Sequence, residues 1–317
     1  MAGACCAPLI ASQPATAVQA KAIRATGEDL AYAQAHLLAL PGGSFVMGAE
    51  DADGNPEDGE GPRRSVTLSP FALSRFTVTN RDFARFVAAT GHVTTAERLG
   101  QSHVFHLFLS PARKRQAQAV PADTPWWYPT EGAFWACPEG PGSDIAGREN
   151  HPVVHVSWQD AMAYARWTGG TLPSEAQWEF AARAGSEDRF PWGSDLEPGG
   201  KHVCNVWQGR FPGKNTGADG FVGTAPVDAY TPNAFGLYNM IGNVWEWCAD
   251  SFTPDYHRIT AQTDPRHEDE GDLRSARGGS FLCHRSYCNR YRLGARTGNR
   301  ADTTCSNLGF RIAAPRL

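Results

Sequence analysis

The residues best suited to chemistry in this chain are two cysteines, Cys283 and Cys288, which four residues separate. They follow Gly278-Gly279, a pair that permits a tight backbone turn, and they lie in a stretch rich in arginine. Two thiolates are soft ligands that suit Cu(I), and a low-coordinate ion leaves room for a third soft ligand. The pair therefore indicates redox or Cu(I) chemistry, although a disulfide or two buried thiols explains a lone pair of cysteines equally well.

Positive side chains are concentrated beside the two cysteines. The whole chain has a formal net charge of -4, so it lacks the basic field that would attract nucleic acid or an anionic membrane. We therefore expect the basic cluster to act locally, lowering the thiol pKa values and favouring thiolate. Zinc suits the segment less well, because a structural zinc site needs four ligands. The cluster consists of Arg285, Arg290, Arg292 and Arg296.

The composition predicts one large folded unit. Of 317 residues, 41% are apolar, which is enough for a substantial core, and no apolar run approaches the roughly 18 residues of a membrane span. Glycine (33) and proline (22) predict many loops, against which tryptophan (10) and phenylalanine (16) can pack. We predict a single α+β domain over residues 37–317 with little regular secondary structure, after a disordered tail over residues 1–36.

Local signals predict several elements within this domain. Strands are expected over 40–48 and, as a pair, over 65–79, and an acidic loop over 51–60 separates them. Three helices are expected where serine or threonine precedes an apolar face with helical spacing. These helices are predicted to begin at Thr79, Ser157 and Ser174 and to end near Gly91, Gly169 and Gly185.

Several motifs occur in the order typical of the sulfatase-modifying factor family, and the chain resembles its formylglycine-generating enzymes over nearly all of residues 37–317. The resemblance implies their loop-rich fold, which is distantly similar to C-type lectins. Most of the motifs also mark non-oxidising relatives, whereas the paired cysteines separate the catalysts from those relatives. The motifs include Pro41-Gly42-Gly43-Ser44-Phe45, His151-Pro152-Val153-Val154-His155, Leu172-Pro173-Ser174-Glu175, Gly242-Asn243-Val244-Trp245-Glu246 and Ser306-Asn307-Leu308-Gly309-Phe310-Arg311.

The resemblance implies a reaction and roles for four residues. A cysteine within a Cys-x-Pro-x-Arg motif of an unfolded sulfatase polypeptide would become formylglycine, at the expense of O₂ and a thiol reductant. By similarity, Cys283 and Cys288 would hold Cu(I), with the substrate thiol as a further ligand. Ser280 matches a family hydroxyl near the reaction centre and Trp245 an aromatic wall of the cleft, although a turn serine and a core tryptophan explain both residues equally well.

Oxygen-bearing side chains among glycine turns form a second group. Hard cations such as Ca²⁺ bind carboxylate, amide and backbone carbonyl oxygens, but asparagine and aspartate in such loops more often simply form turns. The resemblance implies two structural calcium sites. The first would use Asn205, Asp219 and the carbonyls of Val206 and Phe221, and the second Asn239, Glu246 and the carbonyls of Gly242 and Val244.

Two histidine pairs invite a metal interpretation that spacing opposes. Pro152 and its neighbouring valines favour an extended segment, in which His151 and His155 would lie about 13 Å apart and could not share an ion. His103 and His106 would face opposite sides of a strand. We interpret all four as structural.

The remaining cysteines bear on the compartment. Secreted members of the family carry half-cystines where this chain has Leu293 and Ile312, so two of their disulfides are missing here. This difference favours a cytoplasmic, prokaryote-type protein, and we expect a monomer because no heptad pattern is present. The thiols predicted to be reduced and buried are Cys137, Cys204, Cys248 and Cys305.

Two other functions fit the same fold or the same cysteines. A non-catalytic module could bind sulfatase or peptide without oxidising it, although such relatives typically lack the cysteine pair. A thiol–disulfide exchange enzyme would use the pair without metal, but four intervening residues differ from the C-x-x-C spacing of thioredoxin-like proteins.

Overall fold

A computed structural model describes residues 24–117, 119–269 and 271–315. Short strands and helices are joined by long ordered loops, as the glycine and proline content predicted. No helix in these ranges is both long and apolar enough to cross a bilayer. The helices are α1 (Glu28–Ala35), α2 (Asn80–Thr90), α3 (Thr95–Leu99), α4 (Pro111–Gln116), α5 (Trp158–Trp167) and α6 (Glu175–Arg183). The strands are β1 (Leu37–Leu40), β2 (Gly43–Met47), β3 (Arg64–Leu68), β4 (Phe71–Ser74), β5 (Gln101–Phe105), β6 (Trp127–Glu131), β7 (Gly209–Arg210), β8 (Lys214–Asn215), β9 (Trp245–Ser251), β10 (Leu273–Arg277), β11 (Arg296–Arg300), β12 (Leu308–Gly309) and β13 (Ala313–Pro315).

The three predicted helices are confirmed as α2, α5 and α6. Each begins with a reciprocal capping box in which the side chain of Thr79, Ser157 or Ser174 accepts from a backbone N–H three residues later. Helix α6 ends at Arg183, earlier than predicted, because Ala184 adopts a left-handed conformation with φ 46°. Alanine gives no sequence signal for that conformation, whereas the nearby glycine does.

A four-stranded sheet in the order β11–β10–β9–β12 supports the cysteine segment. Strand β10 pairs antiparallel with both β9 and β11, and β12 pairs parallel with β9. Every residue of β9 is buried, so this strand lies in the core. Trp245 opens β9, and Gly278 follows directly after β10, so the sheet brings two of the predicted site segments to the same edge.

A three-stranded sheet, β1–β4–β13, joins the beginning and end of the described chain and corrects the predicted tail. Helix α1 precedes β1, and Ala25 and Ala33 are both buried. The Ala25 N–H donates to the carbonyl of Trp167 at 2.8 Å. Residues 24–36 therefore belong to the domain, although their alanine-rich sequence lacks a clear apolar pattern. The rest of the predicted tail, residues 1–23, lies outside the described residues.

The core combines buried aromatic rings with buried ion pairs. Trp127, Trp178, Trp245 and Trp247 are all at most 1% exposed. Arginines are rarely buried without a partner, and the buried ones here pair with carboxylates. Arg277 pairs with Glu175 and Glu179, and Arg296 pairs with Glu175 as well. Arg292 pairs with Glu60, and Arg311 pairs with Glu246.

Candidate active site

The two cysteines lie on a loop whose ends meet. The loop begins at Gly278 and Gly279, which have φ angles of 94° and 74°. A Cβ atom on Gly279 would come within 2.8 Å of the Arg290 carbonyl oxygen, so only glycine permits this approach of the two ends. Inside the loop, the N–H groups of Tyr287 and Cys288 donate to the His284 carbonyl at 2.9 and 3.0 Å. These hydrogen bonds close the segment between the two cysteines into a turn.

Both cysteines are buried, each only 2% exposed, and neither is part of a disulfide. The N–H of Ser280 donates to the Cys283 sulfur at 3.4 Å. Burial raises the pKa of Tyr291, and the charges of both cysteines raise it further, so both sulfurs lie within electrostatic reach of one phenol. Within the described part of the chain, no cluster of three or more histidine, cysteine or carboxylate side chains could hold a metal. The protein therefore offers a pair of soft donors here.

Ser280 is fully buried and its hydroxyl is oriented by a residue that the sequence interpretation missed. The Ser280 oxygen accepts from Asn307 Nδ2 at 2.9 Å and from the Leu282 N–H at 3.3 Å. Asn307 Oδ1 in turn accepts from the Cys305 thiol at 3.1 Å. With both acceptor positions of its oxygen in use, Ser280 retains its proton for donation. Asn307 belongs to a motif quoted above, but its amide role depends on the fold.

Trp245 also contacts Asn307, since the backbone N–H of Trp245 donates to the backbone carbonyl of Asn307 at 2.9 Å. The indole is fully buried, and its Nε1 has no hydrogen-bond partner among the described residues. A buried donor without a partner is costly unless something else accepts from it. Ser280 and Trp245 thus both contact Asn307, one through its side chain and the other through its backbone. Their roles in a cleft stay predictions.

Ion pairs join the cysteine loop to the acidic loop, residues 51–60. Asp58 accepts two hydrogen bonds from the guanidinium of Arg290, one of them at 3.1 Å. Glu60 accepts two from Arg292, both at 2.6 Å. Arg290 and Arg292 are 6% and 0% exposed, so both pairs are shielded from water. The acidic loop, expected only to separate two strands, is therefore part of the framework of the candidate site.

The acidic loop also contacts the cysteine turn directly. Asn55 Nδ2 donates to the Cys288 carbonyl at 3.3 Å. Asn289 Nδ2 donates to an Asp53 carboxylate oxygen at 2.9 Å. Together with the ion pairs, these contacts hold the chain from Cys288 to Arg292 against the acidic loop. We call this set of contacts the acidic clamp.

The ion pairs change the interpretation of the basic cluster. The charges of Arg290 and Arg292 are balanced by the acidic clamp, and that of Arg296 is balanced by Glu175. We had expected these arginines to act as uncompensated cations beside the thiols. Their charges are instead compensated by carboxylates. Arg285 is the exposed member of the cluster.

The first predicted calcium set contains an unsatisfied oxygen. Asn205 is buried, and its Oδ1 has no hydrogen-bond partner among the described residues, while its Nδ2 donates to Asn243 Oδ1 at 3.2 Å. Asp219 accepts from the N–H groups of Val206 and Phe221 at 3.1 and 3.2 Å. Burial raises the pKa of Asp219, and the N–H groups of Phe221 and Val206 and the charge of His202 offset this desolvation only in part. An amide oxygen and a buried carboxylate of this kind fit a hard cation.

The second predicted set gives weaker support for a cation. Both carboxylate oxygens of Glu246 accept from Arg311 at 2.6 Å, and one also accepts from Trp178 Nε1 at 2.7 Å. Arg311 therefore already balances the charge of Glu246. Asn239 uses its Nδ2 to donate to the Val227 carbonyl at 3.0 Å. Calcium at this set stays a prediction, and Asn239, Gly242 and Val244 lie in the turns that lead into β9.

The histidines are held by protein contacts. His155 is fully buried, donates to or accepts from Ser102 Oγ at 2.7 Å through Nδ1, and burial lowers its pKa to about 3. Burial likewise lowers the pKa of His103 to about 4. Both rings are thus neutral at pH 7, in agreement with a structural role. The segment is not extended throughout, however, because His155 has a φ angle of 60°.

The other described cysteines form no disulfides, and the positions that lack half-cystines are apolar core. Cys204, Cys248 and Cys305 are buried, whereas Cys137 is only half-buried. Leu293 and Ile312 are 1% and 3% exposed. Hydrophobic packing therefore fills the two positions at which the resemblance implies half-cystines in secreted members.

Solved structures share the whole architecture. The structure of PvdO from Pseudomonas aeruginosa superimposes with a TM-score of 0.65 at 28% identity and covers 89% of this chain and 94% of that one. Treponema denticola variable protein 1 shows the same fold with a TM-score of 0.57 at 21% identity, over 89% of this chain and 95% of its own. The expected loop-rich α+β fold is confirmed.

Comparison of sequences gives closer relatives. A formylglycine-generating enzyme of Thermomonospora curvata is 56% identical over 89% of this chain and 94% of its own length, and one of Streptomyces coelicolor is 50% identical over 99% and 96%. A mouse protein named inactive C-alpha-formylglycine-generating enzyme 2 is 44% identical over 88% and 85%. The model of the sulfatase-modifying factor enzyme 1-like domain matches residues 25–315. The chain therefore belongs to the sulfatase-modifying factor enzyme 1-like family.

Proposed function

We propose that this protein is a copper-dependent oxidase that converts the cysteine of a Cys-x-Pro-x-Arg motif in unfolded sulfatase polypeptides to formylglycine. The observation that carries the proposal is the pair of buried thiols, Cys283 and Cys288, on one closed loop. Family membership alone does not decide between activity and binding, since relatives named active and inactive both resemble the chain. The cysteine pair favours activity because it supplies the soft donors that oxidation chemistry requires.

Copper suits the donors that the chain offers. Cys283 and Cys288 would hold the ion, and two protein ligands leave a position open for a substrate thiol. When bound, Cu(I) would supply a soft, redox-active centre at which the thiol and O₂ react. Burial of both sulfurs keeps water away from that centre and strengthens electrostatic interactions within it.

Two further side chains would act on the reacting groups. Ser280 would donate its hydroxyl proton, because its oxygen already accepts from Asn307 and Leu282. Trp245 would contribute the buried indole N–H that has no partner within the described residues. Both are rigidly held donors, and such donors stabilise charge without needing to reorganise during the reaction.

The overall reaction balances with O₂ and a thiol reductant. The substrate CH₂SH group, O₂ and two reductant thiols yield an aldehyde, H₂S, water and one disulfide. O₂ accepts four electrons and four protons and leaves as two waters; two electrons and two protons come from the substrate CH₂SH group and two of each from the reductant thiols. Water then displaces the sulfur as H₂S and supplies the aldehyde oxygen, so that one water is formed overall.

The test is mass spectrometry of a Leu-Cys-Thr-Pro-Ser-Arg peptide incubated with the protein, Cu(I), dithiothreitol and air. We expect the mass change from CH₂SH to CHO, trapping of the product by a hydrazine, and loss of product without O₂ or with a Cu(I) chelator. Tight peptide binding without conversion would identify a binding module instead. Exchange that survives both removals would identify a thiol–disulfide enzyme.

Calcium is proposed as a structural ion at Asn205 and Asp219, supported by the unsatisfied Asn205 oxygen. Chelating calcium should lower the melting temperature, since an ion at a hundred times its Kd adds about 2.7 kcal/mol of stability. Asp219→Asn should abolish that response to calcium. Asp228→Asn, which changes an exposed carboxylate, serves as the control. Identical melting curves for the wild type with and without calcium would contradict the proposal.

We also propose that the protein is a cytoplasmic monomer. The proposal is supported by the described cysteines, which form no disulfides. Light scattering during size-exclusion chromatography tests the oligomeric state, and a mass well above the 34.3 kDa of one chain would contradict a monomer.

A further inference from the structure

An aromatic patch adjoins the cysteine loop at the surface. The rings of Phe211 and Tyr287 stack with centroids 4.3 Å apart and planes 7° apart. Trp126 meets both edge-on, at 5.1 and 4.8 Å. All three are partly exposed, and Tyr287 immediately precedes Cys288. A polypeptide that reaches the cysteines would therefore pass close to these rings.

Positive side chains surround the aromatic patch. Arg210 and Lys214 pair across the β7–β8 hairpin, whose turn contains Phe211. Arg285 lies two residues before Tyr287 and is exposed. These three cations therefore lie within three residues of the stacked pair along both chain segments.

A third segment adds two more cations. His106 bonds to the carbonyl of Pro212 through Nε2 at 2.9 Å, which brings helix α4 towards the hairpin. Lys114 of this helix lies near enough to His106 that, after burial, its charge contributes to lowering the pKa of the histidine. Arg115 follows and is exposed. We call the five cations, Lys114, Arg115, Arg210, Lys214 and Arg285, the basic rim.

The basic rim is poorly balanced by acids. The three segments that carry it, residues 106–117, 207–218 and 281–289, contain no aspartate or glutamate. Asp123, in the loop before Trp126, is exposed close in sequence to the patch. None of the five cations forms an ion pair with a described carboxylate. Because the whole chain has a net charge of -4, this concentration of positive charge is local, and it is electrostatically complementary to an acidic partner.

We propose that the basic rim binds an acidic stretch of the sulfatase polypeptide beside its cysteine motif. The inference rests on the proposed function, because it assigns the rim to the same substrate as the cysteine pair. Aromatic faces framed by cations also suit single-stranded RNA. The polypeptide is the better occupant, since the patch is continuous with a thiol pair and the net charge of -4 on the whole chain disfavours nucleic acid.

The test compares three peptides that share one Cys-x-Pro-x-Arg core and differ in flanks of four glutamates, glutamines or lysines. At low ionic strength, kcat/KM for the glutamate peptide should exceed that for the glutamine peptide by about fivefold, through KM. The lysine peptide should be the poorest substrate. In 1 M salt the differences should vanish, because the Debye length falls to about 3 Å.

A matched pair of variants locates the effect. Arg210→Gln/Lys214→Gln should remove most of the preference for glutamate flanks and leave kcat for the glutamine peptide unchanged. Arg63→Gln/Arg81→Gln removes the same charge from exposed positions outside the rim segments and should keep the preference. Equal loss in both double variants would overturn the inference, since it would reflect net charge alone.

Binding separates this inference from the proposed function. Fluorescence anisotropy with serine in place of the substrate cysteine measures Kd without turnover. Conversion of all three peptides with equal kcat/KM would overturn the rim assignment and leave the oxidase intact. Preferential binding of the glutamate peptide without any conversion would support the rim and refute the oxidase. An RNA oligonucleotide that binds more tightly than the glutamate peptide and displaces it would overturn the assignment to polypeptide.

Discussion

Replacing Cys283 with alanine is expected to reduce peptide conversion by more than about 100-fold, because loss of an outer-shell partner alone typically costs 10–100-fold and this residue is a proposed ligand. Cys288→Ala should cause a loss of similar size. The double variant should be no worse than either single variant, since two ligands of one ion act as a unit. Quantitative mass spectrometry of the peptide product measures all three.

Cys248→Ala is the matched control for these variants. Cys248 is also buried, at 0% exposed, but it lies on β9 and is not a ligand of the proposed copper site. The control should retain one Cu(I) per chain in a competition assay with a chromogenic chelator. Wild-type conversion by Cys283→Ala, or unchanged Cu(I) binding by both site variants, would refute the copper assignment.

Asp58→Ala should destabilise the protein by about 3–5 kcal/mol, because it leaves the charge of Arg290 buried without its carboxylate. Arg290 is only 6% exposed, so water cannot replace the lost partner. Cu(I) affinity should fall as well, since the acidic clamp fixes the turn that carries Cys288. Urea unfolding and Cu(I) competition are the two measurements.

Asp53→Ala tests whether burial is the cause. Asp53 belongs to the same clamp, where it pairs with Arg189 and accepts from Asn289, but its side chain is 54% exposed. An exposed pair of this kind contributes about 1 kcal/mol or less. Equal destabilisation by the two variants would contradict our account of the clamp. If Asp58→Ala does not fold, Asp58→Asn keeps the side-chain shape and should show a smaller loss in the same direction.

Local signals predicted the helices better than they predicted the site. A capping box involves residues three apart, so Thr79, Ser157 and Ser174 could be recognised directly in the sequence. The ion pair between Asp58 and Arg290 spans 232 residues, and nothing local connects its members. The complementary charges of the two loops were a signal, but charge alone does not specify which segments meet.

The candidate site was predictable where residue chemistry sufficed. Cys283 and Cys288 were identified by type and spacing, and the fold does bring them onto one closed loop. Asn307 was missed because an asparagine orienting a serine has no sequence signature of its own. The carboxylate partners of Arg290 and Arg292 were missed for a similar reason, since they come from distant parts of the chain.

The arrangement of the last strands has a consequence for synthesis. Ile312 donates to Ser74 Oγ across 238 residues, and Arg311 is the cation that balances buried Glu246. While a ribosome is still translating the chain, β4 lacks its neighbour β13 and the carboxylate in β9 lacks its counter-charge. Contacts of such long range make folding slow, and neither contact can form before β13 has left the ribosome. Nascent chains of this protein should therefore depend on protection from aggregation until β13 emerges.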